Sequence, residues 1–386
     1  MSPFFFPESI STGKYNTYLV KKLLKAGFSV YIVALHPLYP NWKSKKTNEG
    51  FDGATIYRGG GYVSYPKSMI LRRLCLEIEF TIHSIKQILK NRNIEIVIIV
   101  FPPSLFFSFV HLVIPKRAKI IGIVHDLQSV MANVEKPHAK NFLAQIIFFL
   151  ERQSFHVCEK LIFLSKSMAK RAKGDYELEQ KEISVCYPFA NIENRKITKD
   201  LINIFLPNFK HVVYSGALGE KQNPYKLLQF FKALVKKRKN MICHFFSGGP
   251  IFNKLKQIQG IDSERIFFHD LVPEKNLYEL YLKSDIQVIP QKFGMSDGAI
   301  PSKLPNIISA GTPIFSISEF GSEVSNLVEE SGIGFCSHSW NIEKLVKDLN
   351  TFICKIDNEP NIERKKFLKN FVEKNFNVER IITAIE

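Results

Sequence analysis

The six cysteines of this 386-residue chain, Cys75, Cys158, Cys186, Cys243, Cys336 and Cys354, form no CxxC pair. No Cys/His spacing has the form of a zinc site. Single, scattered cysteines read as buried thiols of a reducing compartment, so the expected location is cytoplasmic. Acidic residues are the scarcer charge: Asp plus Glu is 36 against 53 Lys plus Arg, a formal net charge of +17. A surface that basic seeks an anion, whether nucleic acid, an acidic membrane face or a phosphorylated small molecule. No RNP motif, zinc finger or basic helix is present and the basic residues are scattered, so nucleic acid is not the expected partner.

Neither a leader nor a membrane span is expected. The opening Met-Ser-Pro-Phe-Phe-Phe-Pro has no basic region and is interrupted by prolines, unlike a signal peptide. From Ile94 to Ile114 the chain is almost wholly apolar, but Pro102 and Pro103 break it, and Glu95 and His111 lie inside it. A buried strand from Ile94 to Val100 and a short helix from Ser104 are expected instead of a transmembrane helix.

What is present is an alternation of short β-branched runs with amphipathic stretches. Tyr15, Tyr18, Leu19 and Leu23 fall at helical spacing, and Gly27 is placed to end that helix. Strands are expected at Phe28–Leu35, Ala54–Arg58, Ile94–Val100, Ala118–Val124, Lys160–Leu164 and Ile183–Cys186, with a long helix over Ser68–Leu89. From Asn191 to Asn208 the character turns charged and weakly periodic, which marks a domain boundary. A second alternation follows. It has strands at His211–Ser215, Ile242–Ser247, Ile266–His269, Ile286–Pro290 and Pro313–Ile317, and helices from Pro224, Lys275 and Ser302. The fold class is therefore α/β, with two doubly wound parallel-sheet domains, at 1–195 and 205–360, facing a cleft. A final helical stretch, 361–386, is placed to cross back onto the first domain.

The densest constellation of chemical groups is Gln291-Lys-Phe-Gly-Met-Ser-Asp-Gly-Ala-Ile-Pro-Ser-Lys-Leu-Pro-Asn306. A strand delivers a Gly-rich loop that opens a helix, with Ser302 as the expected N-cap and Lys303 in the first turn. Free backbone amides and a lysine at a helix start suit a phosphate; Asn306 can reach a ribose hydroxyl. Tyr214-Ser-Gly-Ala-Leu-Gly-Glu-Lys-Gln-Asn223 gives a second phosphate candidate, with Gly216, Gly219 and Lys221, and Ser247-Gly-Gly-Pro250, with Gly249, a third glycine-rich strand end. A plain βα turn with a routine cap accounts for any one of these; three on one sheet edge argue for a ligand. His125 and Asp126 end a first-domain strand and are candidates for polarising an acceptor hydroxyl or contacting a sugar, set against a simple turn-capping role.

These stretches carry a family resemblance. YSGALGEKQ, FFSGGP, FFHDLVPEKNLYELY and VIPQKFGMSDGAIPSKLPNIISAGTPIF resemble the retaining GT-B glycosyltransferases of family 4 type, closest to the colanic-acid and exopolysaccharide enzymes. FFPESISTGKYNTYLVKKLLKAGFSVYIVALHPLYPNW resembles their opening loop, first helix and second strand. The resemblance spans nearly the whole chain, and PSKL is its most specific part.

It implies sugar transfer, with retention of configuration, from a UDP- or GDP-sugar to a saccharide acceptor, expected to be carried on a lipid diphosphate, in surface polysaccharide synthesis. By the same resemblance Gly216, Lys221 and Lys303 would hold the diphosphate and Asn306 the ribose, although many relatives carry Glu there. Leu271 and Val272 would bracket the base, Ser296, Asp297 and Gly298 would line the sugar, and a loop at Thr12-Gly13 would face donor and acceptor. The chain has no Asp-x-Asp pair, which fits a reaction without metal or other cofactor. Relatives normally begin with a short hydrophobic strand before the opening loop, which this chain does not show; an unfilled sheet and weak activity are the expectation.

Two rival readings stand beside this one. Gly294-Met-Ser296-Asp-Gly298 matches the GxSxG nucleophile elbow of α/β-hydrolases, with His338 and Asp348 downstream, but Pro301 interposes a loop before the helix and the acid follows the histidine. The other is a basic, non-enzymatic nucleic-acid or membrane binder. Lys116-Arg117 beside Phe106–Ile114, and Lys170-Arg171, suit peripheral docking on an anionic leaflet.

Overall fold

The computed structural model describes the chain except residues 9, 39–40, 130–141, 191–196, 198–199, 202, 260–264, 295–299 and 359–360. It divides into two compact units, 1–188 with 378–386, and 189–377.

Unit 1 opens with helix α1 (Ser11–Lys25), whose inner face buries Tyr15, Leu19, Val20 and Leu23. Strands β1 (Val30–Leu35) and β2 (Ala54–Gly59) pair in parallel. Helix α2 (Met69–Lys90) leads to a four-stranded parallel sheet in the order β3 (Ile96–Phe101), β4 (Lys119–Val124), β5 (Lys160–Phe163), β6 (Glu182–Val185). The short helix α3 (Phe107–Val110), and helices α4 (Phe142–Val157) and α5 (Lys166–Asp175), make the crossovers. The helix expected from Ser104 starts instead at Phe107, because Ser104 to Phe106 form the turn after the proline pair.

Residues 1–3 lie between the two groups of strands. The Met1 amino group donates to Ile98 O (2.6 Å) and Val100 N to Met1 O (3.2 Å), while Ser2 N donates to Val33 O and Leu35 N to Pro3 O. This short extended segment thus occupies the place between β1 and β3. Phe5 follows it into a cluster with Val20, Ile32 and Ala34. The expected gap is bridged by backbone over these three residues.

Unit 2 is a six-stranded parallel sheet in the order β12-β11-β10-β7-β8-β9. Its strands are β7 (Lys210–Ser215), β8 (Met241–Phe246), β9 (Ile266–His269), β10 (Ile286–Pro290), β11 (Ile314–Ile317) and β12 (Gly334–Ser337). Between them run α6 (Pro224–Lys237), α7 (Pro250–Gln259), α8 (Leu277–Lys283), α9 (Leu304–Ala310) and α10 (Glu323–Glu330). After β12 come α11 (Ile342–Asn358) and α12 (Asn361–Asn375). Near-continuous apolar strands are what a sheet covered on both faces demands, and β8 and β10 are buried along their whole length. One core cluster joins Val212, Tyr214 and Phe245 to Phe230 and Phe231 of α6 and Leu345, Leu349 and Phe352 of α11.

The order reverses between β10 and β7, so the topological switch point lies at their C-terminal ends. The final helical stretch is two helices: after α12, α13 (Glu379–Ile385) buries Ile381, Ile382 and Ile385 within unit 1.

Candidate functional site

The switch point of unit 2 is built from the ends of β7 and β10. Gly216 follows β7 with φ of 121°, a backbone region open to glycine and costly for other residues. A Cβ there would lie 3.9 Å from the Lys303 ammonium. Lys303 itself comes from the loop after β10. Its Nζ donates to Ser215 O at 2.7 Å and sits 4.2 Å from the centre of the Tyr214 ring. Loss of water around the ammonium pushes its pKa down to about 7. The cation is thus held by a carbonyl and an aromatic face, and an anion beside it would restore full charge.

The neighbours of Lys303 are themselves fixed. The Tyr214 hydroxyl donates to Ala217 O (2.7 Å), closing the turn after β7. Ser215 Oγ donates to Gln287 Oε1 (3.0 Å), and Gln287 Nε2 to Ser284 Oγ, so buried side chains tie β7 to β10. Lys221 sits half-exposed in the 3-10 turn Glu220–Gln222, and its carbonyl accepts from Lys292 N at 2.7 Å. The stem of the β10 loop is further held by Gln291 N to Ile317 O, Trp340 Nε1 to Gln291 O and Gly294 N to Glu319 Oε1. Ser296, Asp297 and Gly298 lie beyond that stem, outside the described residues.

Several local expectations need correction. Ser302 is not a cap: α9 begins at Leu304, Lys303 is its N-cap residue, and no side chain caps it. The turn is closed by Leu304 N on Pro301 O, which leaves Ser302 exposed. Nor are the glycine amides at β7 free: Gly216 N donates to Phe246 O and Gly219 N to Gln222 Oε1, so neither is left for the anion expected there.

Gly249, with φ of 99° and open space where a Cβ would stand, begins the turn into α7. Leu271 is exposed and lies against Gly248, whereas Val272 packs on the cluster of Leu201, Val213, Phe246 and Leu280. Asn306 is half-buried in the first turn of α9.

In unit 1, His125 and Asp126 follow β4. His125 N donates to Phe101 O (2.8 Å), which fixes the residue at the strand end. The ring packs edge-on to Tyr15 with centroids 4.4 Å apart, and its Nε2 is buried without a hydrogen-bond partner among the described residues. Burial holds its pKa down at about 4, so the imidazole is neutral at pH 7. The loop beyond it is anchored by Glu151 of α4, which accepts from Gln128 N and Ser129 N. Thr12 and Gly13 are not in a loop but in the first turn of α1. Gly13 is needed for packing: a Cβ there would stand 3.0 Å from Glu8 O.

The hydrolase reading finds no support in the described residues. His338 Nδ1 bonds Ser318 O, and Asp348 accepts from Ser337 Oγ and pairs with Lys344. The histidine and the acid are each engaged elsewhere. What the sequence could not reveal was the reach of Lys303 back to β7; the Tyr-Ser-Gly strand end was its only signal.

Residues 12–194 match the model of Glycosyltransferase Family 4, and residues 202–370 that of Glycosyl transferases group 1. The chain is 25% identical to WcaI of Escherichia coli (strain K12), named for colanic acid biosynthesis, over 89% of this chain and 88% of that one. Among solved structures it resembles sucrose-phosphate synthase from Thermosynechococcus elongatus, with a TM-score of 0.74 at 13% identity, covering 97% and 92% of the two chains. It also resembles the E. coli trehalose-6-phosphate structure bound with UDP-2-fluoro glucose, with a TM-score of 0.70 at 10% identity, over 100% and 97%. The chain is a glycosyltransferase of GT-B fold and belongs to the enzymes that join a Family 4 domain to a group 1 glycosyl transferase domain.

Proposed function

We propose that this enzyme transfers a sugar, with retention, from a UDP- or GDP-sugar to a lipid-linked saccharide in surface polysaccharide synthesis. The observation that carries the donor assignment is Lys303, an ammonium of lowered pKa beside Gly216 at the switch point of unit 2. A diphosphate placed there raises the lysine's pKa, so the complex takes up a proton and gains a full positive charge. As the bond from the anomeric carbon to the diphosphate breaks, charge grows on the leaving oxygen, and Lys303 with Lys221 stabilises it. The acceptor oxygen bonds to the same face of that carbon, and its proton passes to the departing diphosphate oxygen on that face. The two lysines perform the task that a metal performs elsewhere, in a chain without an Asp-x-Asp pair.

In unit 1, the neutral His125 is suited to hydrogen-bond a sugar hydroxyl through its buried Nε2 and is a weak general base, given a pKa of about 4. Leu271 is exposed beside the glycine turn, where it can cover a nucleobase. The link to colanic acid synthesis in WcaI supports a polysaccharide role, and UDP-2-fluoro glucose in the E. coli structure supports a nucleotide-sugar donor. A hydrolysis screen of UDP- and GDP-sugars tests the reading. Turnover of one nucleotide series, lost in Lys303→Ala, is expected; turnover of neither, or turnover retained in that variant, contradicts it.

A further inference from the structure

Helix α2 is apolar on two opposite sides. Inward it buries Leu76, Phe80 and Ile88. Outward, Leu71, Leu74, Ile78, Ile82 and Leu89 recur at helical spacing and are 41–63% exposed. At 1.5 Å per residue this outer stripe runs about 27 Å along the helix. A helix inside a globular unit needs one apolar face; a second calls for another partner.

α3 and the turn after it pack on α2, and Phe109 and Leu112 on them are 53% and 72% exposed. Phe106 and Phe107, by contrast, are fully buried and belong to the core.

The charge around this surface has one dominant sign. The acids of α2, Glu77 and Glu79, are buried; Glu79 accepts from Tyr62 N and Val63 N, and Glu77 from Phe106 N. Lys86 and Lys90 flank the stripe and are exposed. At its end Arg92 donates to Val113 O (2.8 Å) and Arg117 to Asn93 Oδ1 (2.7 Å), which gathers Lys90, Arg92, Lys116 and Arg117 beside Leu89 and Leu112. Glu95 is an exposed acid nearby. Arg171, the other basic site expected at a membrane, is paired with Asp175.

We propose that the outer stripe of α2, with Phe109 and Leu112, is the face by which this protein lies on an anionic lipid bilayer. A second copy seated on the same face would bring two cationic rims together, whereas anionic headgroups complement the rim and acyl chains accept the stripe. No described helix is long and apolar enough to cross a membrane, so the attachment is interfacial. The inference gives purpose to the lipid-linked acceptor proposed above and rests on that reading only for its purpose.

The test is co-sedimentation of the full chain with phosphatidylglycerol-containing vesicles and with neutral phosphatidylcholine vesicles. Binding to the anionic vesicles is expected, weakened by salt, and reduced about tenfold or more in Ile78→Asp/Ile82→Asp and in Lys86→Glu/Lys90→Glu. These positions are exposed, so unchanged thermal melts are expected, and Leu112→Asp gives an independent loss from a neighbouring element. Nucleotide-induced thermal shifts in these variants stay as in the parent, which separates failure at this surface from failure of the donor reading. No binding by the parent, equal binding by the aspartate variants, or a parent dimer that they convert to monomer would overturn the proposal.

Discussion

Lys303 reaches from the residue before α9 to the carbonyl of Ser215 at the end of β7, joining the two strands between which the sheet order reverses. The contact places a cation at the crevice where doubly wound sheets bind their ligands.

The free protein carries this cation at a cost. With a folded pKa of about 7 against 10.5, the unfolded chain holds more protons between those values, so this group makes stability rise with pH across that window. Lys303→Met is expected to melt higher than the parent at pH 7 and to lose that part of the slope, in thermal melts from pH 6 to 10. Nucleotide affinity should fall above pH 7 by up to about tenfold per unit.

His125 is expected to separate stability from function. His125→Phe removes a buried nitrogen with no hydrogen-bond partner among the described residues and keeps an aromatic ring against Tyr15, so the melting temperature should hold or rise. Sugar transfer should fall by about a hundredfold. Because the parent imidazole titrates at about 4, the pH–rate profile should show no limb from this residue near 6.5.

Tyr214 supports Lys303 from below. Tyr214→Phe keeps the ring under the ammonium but loses the bond to Ala217 O, at about 1 kcal/mol of stability with small change in affinity. Tyr214→Leu removes the aromatic face as well, and calorimetry should show weaker nucleotide binding.

Chelation provides a direct check on the lysine-based mechanism. Transfer should continue at an unchanged rate after EDTA treatment and dialysis. A loss of rate restored by Mg²⁺ or Mn²⁺ would assign part of the charge stabilisation to a metal.

Much of this architecture was legible because a parallel sheet buried on both faces writes its strands as apolar runs. Ile266–His269 and Ile286–Pro290 agree with the structure to the residue. The Lys303 loop was legible as a glycine-rich strand end, but its contacts were not, since Tyr214 and Ser215 lie far from it in sequence and meet it only through the order of the strands. Ser302 misled because Ser before an apolar run is the usual capping pattern, while here a turn from Pro301 precedes the helix. Thr12-Gly13 misled in the opposite sense: the family resemblance implied a loop, yet Gly13 lies within α1, where Glu8 leaves little room for a side chain. The outward stripe of α2 hid in plain periodicity, because spacing shows that a helix has an apolar side but not how many sides are covered.

The central claim is that Lys303 makes unit 2 a nucleotide diphosphate site. Isothermal titration of the full chain with UDP and with GDP, in parallel with Lys303→Met, tests it most directly. Binding of one nucleotide with proton uptake near pH 7.5, weakened about a hundredfold in the variant, is the predicted result. Equal affinity in the two proteins, or no binding of either nucleotide by the parent, would contradict it.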